Sequence, residues 1–72
     1  MANDEKAKLR TLLNYWMEHN KEHNQEFREW ASRAEEFGET EVSKEILAAA
    51  QEMDRANESL SRALKRLERK EL

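Results

Sequence analysis

The sequence predicts an all-α protein, an antiparallel two-helix hairpin that dimerises into a four-helix bundle, and three observations carry that prediction. Proline is absent and the single glycine is Gly38, so one strong break separates two uninterrupted helix-favouring segments. Apolar residues recur every seventh position on both sides of that break, the period of packed helices. The chain has only 72 residues and no cysteine. It is thus below the size at which one core usually suffices, and disulfides and thiolate zinc clusters are excluded.

The chain reads as a single domain over residues 1–72, with a first helix at about 4–37, a turn at 38–40 and a second helix at about 41–69. Asn3 or Asp4 is expected to cap the first helix, with Asp4 and Glu5 at its positive end. Gly38 supplies the left-handed residue that ends it. Thr40 is the expected N-cap of the second helix, Glu41 sits in its first turn, and Lys65, Arg66, Arg69 and Lys70 gather at its negative end.

On the first helix one heptad column reads Leu9, Trp16, His23, Trp30, Phe37 and the adjoining one Leu13, Asn20, Phe27, Ala34. The second helix supplies Val42, Ala49, Ala56, Ala63 and Ile46, Met53, Leu60, Leu67. Folding back at Gly38 sets Trp16 against Ala63, His23 against Ala56, Trp30 against Ala49 and Phe37 against Val42. It also sets Leu13 against Leu67, Asn20 against Leu60, Phe27 against Met53 and Ala34 against Ile46. Large meets small in every aromatic layer, the complementarity that close packing requires. These residues form the expected core and interface, and the tryptophans are expected inside it.

Further apolar residues, Leu12, Tyr15, Met17, Leu47, Ala50 and Leu64, widen the stripe beyond what one partner helix covers. A second hairpin related by a two-fold is the closed solution, making a homodimer or a higher oligomer. Charge selects the arrangement. Lys6, Lys8, Arg10, Arg62, Lys65, Arg66, Arg69 and Lys70 lie at the open end, and Glu29, Glu35, Glu36, Glu39, Glu41 and Glu45 lie at the turn end. An antiparallel dimer lays basic end over acidic end.

No apolar run reaches the ~18 residues of a membrane span, and the first ten residues lack the apolar stretch of a signal peptide, so a soluble cytoplasmic protein is expected. Sixteen acidic against 13 basic residues, net −3, give no global attraction to nucleic acid or anionic lipid. No nucleophile triad, glycine-rich phosphate loop or paired-carboxylate cleft can be assembled, so no enzyme is expected.

The pentapeptide HNKEH, His19 to His23, has the H-x-x-E-H spacing of inverzincin peptidases. Such an enzyme needs a third protein ligand and a substrate chamber, which two helices do not offer. Two readings remain. His23 and Asn20 can form a polar layer in the seam, hydrogen-bonded to Asn57, that fixes register. Alternatively the i,i+4 pair His19 and His23, with carboxylate help from Glu22 or Glu26, holds Zn, Ni or Co, since that spacing places both imidazoles on one helix face. In an antiparallel dimer the two-fold would bring two such pairs together.

The stretch LLNYWMEHNKEHNQEFREWA, Leu12 to Ala31, followed by an Ala-rich second helix, resembles a small prokaryotic helical-hairpin domain family of uncharacterised function. The likeness covers nearly the whole chain and implies the fold and the recurrent YW..HN..H stretch rather than an activity. In layout the chain is also similar to Rop-like hairpin dimers, which implies RNA binding as a third alternative without any shared motif. The expected function is therefore that of a non-enzymatic self-association or protein-interaction module. Metal binding at His19 and His23 is the alternative.

Overall fold

The computed structural model describes residues 2–69, with side chains from residue 4 onward. It consists of α1 (Ala2–Glu36) and α2 (Thr40–Arg69), packed side by side as an antiparallel hairpin with no strand among the described residues. The Cα trace measures 54 × 15 × 12 Å, a rod two helices wide and one helix deep.

The turn is built by hydrogen-bond bookkeeping at the end of α1. The last carbonyls of a helix lack intrahelical donors. Here the Gly38 N–H donates to the Glu35 carbonyl at 3.1 Å and the Glu39 N–H donates to the Ala34 carbonyl at 2.8 Å. That crossed pair is the Schellman motif, and it requires a left-handed residue between the two donors, which Gly38 provides at φ 92°. The Ser43 N–H then donates to the Glu39 carbonyl at 2.9 Å, so Glu39, not Thr40, holds the N-cap position of α2. The Thr40 hydroxyl instead lies 3.4 Å from Glu35 Oε1, back across the turn. At the other end α1 already begins at Ala2, so Asp4 stands inside the first turn with Glu5. It complements the positive end of the helix dipole without capping, because a cap needs non-helical backbone. The side chain of Asn3 and the whole of Lys70 lie outside the described residues.

The seam keeps one predicted column of each helix and replaces the other. Leu13, Asn20, Phe27 and Ala34 of α1, and Ile46, Met53, Leu60 and Leu67 of α2, are buried or half-buried against the opposite helix. The second column of α1, however, is Met17, Asn24 and Ala31, one residue on from the predicted Trp16, His23 and Trp30. On α2 it is Ser43, Ala50, Asn57 and Leu64 in place of Val42, Ala49, Ala56 and Ala63. The resulting 3–4 alternation is unbroken on both helices. Ala31 and Ala50 have no exposed surface at all, whereas Trp16 is 40% and Trp30 54% exposed.

The physical reason is size. Two backbones approach closely where small residues line the contact, and Ala31, Ala34, Ser43 and Ala50 do so near the turn. Tryptophan in those places would force the helices apart. The predicted facing pairs shift accordingly, with Asn20 opposite Asn57 rather than Leu60.

Candidate functional site

The one-residue offset divides the hairpin into two unlike faces. On one face a polar network crosses the seam. The Asn24 Nδ2 donates to the Ala50 carbonyl at 2.7 Å and to Asp54 Oδ1 at 2.9 Å, while its Oδ1 accepts from Arg28 Nε at 2.7 Å. Arg28 Nη2 completes the ring to Asp54 Oδ2 at 2.9 Å. One turn along, Asn20 Nδ2 donates to Asn57 Oδ1 and Asn57 Nδ2 donates to the Met17 carbonyl, both at 3.0 Å. A polar layer therefore exists in the seam, made of Asn20, Asn24 and Asn57, and His23 is not part of it.

The opposite face is apolar and open. It carries the Trp row of α1 (Leu9, Trp16, His23, Trp30, Phe37) beside the Ala row of α2 (Val42, Ala49, Ala56, Ala63). Leu9, Trp16, Trp30, Phe37 and Val42 are all exposed large hydrophobics. Near the turn the two rows border a groove lined by Phe27, Trp30, Val42, Ile46 and Ala49, with Glu26, Glu41 and Glu45 on its rim. Single exposed apolar residues are ordinary, but two contiguous rows running the length of a rod mark an interaction surface.

His23 belongs to this open face and stands at the middle of the Trp row. Its Nε2 lies 3.0 Å from His19 Nε2, and its Nδ1 lies 3.1 Å from Glu26 Oε1. The rings form an i,i+4 ladder: Tyr15 stacks on His19 at 5.6 Å, His19 meets His23 edge-on at 4.5 Å, and Phe27 follows at 6.2 Å. Of the four metal candidates the structure thus joins His19, His23 and Glu26, while Glu22 stays exposed and takes no part. The three joined groups connect in series through His23, and among the described residues no group of three or more His, Cys, Asp or Glu side chains is placed to hold one metal ion together. Sequence reasoning missed Asn24 and Arg28. The available signal was that Asn24 shares a heptad column with Met17 and Ala31, both small or flexible enough to face a helix.

A family model described as a domain of unknown function (DUF8180) matches residues 9–67. The chain belongs to this family. The matched span runs from the first residue of the Trp row to the last leucine of the seam, so both faces and the histidine pair lie inside the DUF8180 domain. The chain is also similar to an uncharacterised protein of Archaeoglobus fulgidus, 39% identical over 57 residues that cover 79% of this chain and 90% of that one. No solved structure matches. The likeness drawn from Leu12 to Ala31 is thus met by a family of unknown function. Among the described residues no helix is long and apolar enough to cross a membrane.

Proposed function

We propose that this chain is a non-enzymatic module that acts through self-association, two copies packing their open faces together into a four-helix bundle with the turns at opposite ends. The observation that carries the reading is the uncovered pair of apolar rows, one of them with two exposed tryptophans. A 54 × 15 Å face has a footprint of about 800 Å², close to the ~800 Å² per partner of a standard interface.

Register supports a second copy in particular. The Trp row is symmetric about His23, so reversal pairs Trp16 with the partner's Trp30 and Leu9 with the partner's Phe37. The Ala row is symmetric about the midpoint between Ala49 and Ala56. Asn24 bonds both Ala50 and Asp54, so the two centres of symmetry lie at the same height on the rod, and one two-fold serves both rows. Charge agrees, because that operation lays Glu35, Glu36, Glu39 and Glu41 of one copy over Lys6, Lys8, Lys65 and Arg66 of the other.

Sedimentation equilibrium tests the reading. The wild-type chain is expected to be a dimer at micromolar concentration, and Trp16→Glu/Trp30→Glu to be a monomer with its helical circular dichroism retained. A monomeric wild type at high micromolar concentration, helicity intact, contradicts it. Exposure of the tryptophans also offers a stacking surface to RNA, but Glu26, Glu41 and Glu45 beside Trp30 oppose a phosphate backbone. Steeply salt-dependent association with duplex or hairpin RNA would favour the Rop-like alternative instead.

A further inference from the structure

We propose that His19 and His23 form a binding site for a divalent first-row transition ion, chelated through both Nε2 atoms and oriented by Glu26. The two nitrogens lie 3.0 Å apart on one helix face. Metal–nitrogen bonds of about 2.0–2.1 Å span nitrogens about 2.9 Å apart at an octahedral angle and about 3.4 Å at a tetrahedral one, so the pair already has chelating separation. His23 Nδ1 faces Glu26 Oε1 at 3.1 Å. A proton on that nitrogen, donated to the carboxylate, leaves His23 Nε2 as an unprotonated acceptor whose lone pair faces His19 Nε2, and the carboxylate–histidine arrangement is one that supports metal ligands.

Without an ion, His19 Nε2 then carries the single proton shared by the pair. When an ion enters, neutral His19 moves that proton to Nδ1, and its Nε2 lone pair becomes the second ligand with no net change in protons. Tyr15 and Phe27, stacked and tilted against the outer edges of the pair, restrict both rings and lower the entropy of ordering them. Imidazole donors select Zn²⁺, Ni²⁺, Cu²⁺ or Co²⁺ over Mg²⁺ and Ca²⁺.

Each chain contributes two ligands, and water fills the remaining positions on a single chain. In the proposed dimer, and resting on that reading, the two-fold through His23 adds the second copy's pair. Two half-sites then become one site of up to four imidazoles.

Calorimetric titration with NiCl2 and ZnCl2 at neutral pH separates the two claims. The wild type is expected to bind with micromolar or tighter affinity. His19→Ala/His23→Ala abolishes binding. Glu26→Gln weakens it by about tenfold or more without loss of helicity. The Trp16→Glu/Trp30→Glu variant retains weaker binding at one ion per chain. Absence of micromolar binding in the wild type, or binding that survives removal of both histidines, overturns the proposal. If the wild type itself binds one ion per chain, the histidine site stands and its completion by a second copy falls.

Discussion

The two faces of this hairpin are made from neighbouring heptad positions yet differ in kind. On the Asn24 side, Arg28 and Asp54 close over the seam, and every donor and acceptor of the Asn24 amide has a partner within the chain. On the other side, Trp16, Phe37 and Val42 are exposed, and Trp30 is 54% exposed with only the Arg33 guanidinium over its ring at 4.7 Å. A helix pair is one layer deep, so it can finish only its seam and one flank. The difference teaches that the polar network closes one flank within the chain, while the aromatic row leaves the other flank uncovered, the side that the proposed second copy would cover.

The largest effect that separates seam from open face comes from adjacent leucines. Leu13 is 4% exposed, and Leu13→Ala is expected to cost about 2–5 kcal/mol by cavity formation. Leu12, outside the seam, should cost about 0.5 kcal/mol or less on the same change. Urea denaturation at one fixed protein concentration measures both, and equal losses would erase the boundary between them.

Overpacking is the next comparison. Ala50→Leu should destabilise by about 1–3 kcal/mol, since that site has no free surface. Ala49→Leu, one residue away on the open face, should leave the helical content of the monomer unchanged and weaken association instead, as read by sedimentation. A seam built as the Trp and Ala columns would reverse these outcomes.

Smaller effects test the polar side. Asn57→Ala strands the amide of Asn20 and the carbonyl of Met17 in a part-buried layer, at an expected cost of about 1 kcal/mol. Asp54→Asn loosens the Arg28 pair, and because both partners are about half exposed the expected loss is only about 0.2–1 kcal/mol and shrinks in salt. A larger loss at Asp54 than at Leu13 would show that the network, not packing, holds the helices together.

These comparisons also explain how far the sequence could be read. Gly38, the absence of proline and the heptad period specify the hairpin, because each acts locally on backbone geometry. The columns of Leu13 and Ile46 were legible for the same reason. The apolar stripe, however, is three columns wide on each helix, and the column of Trp16, His23 and Trp30 carries the larger rings while that of Met17, Asn24 and Ala31 carries the slimmer side chains. The seam took the slimmer column because close approach selects small residues, and because the amides of Asn20, Asn24 and Asn57 make hydrogen bonds across it. The metal candidates were legible from i,i+4 spacing alone. That Glu26 joins the pair and Glu22 does not depends on the His23 ring orientation, which spacing does not fix.

The central claim, that two copies meet face to face with their turns at opposite ends, is tested most directly by a distance between turns. The chain has no cysteine, so Glu39→Cys accepts a single spin label at the exposed turn. With the two-fold at the level of His23, the account predicts an intermolecular label distance of about 48 Å by pulsed dipolar spectroscopy, from a rise of about 1.5 Å per residue. A distance near the 15 Å width of the rod, or no intermolecular coupling at high micromolar concentration, would contradict it.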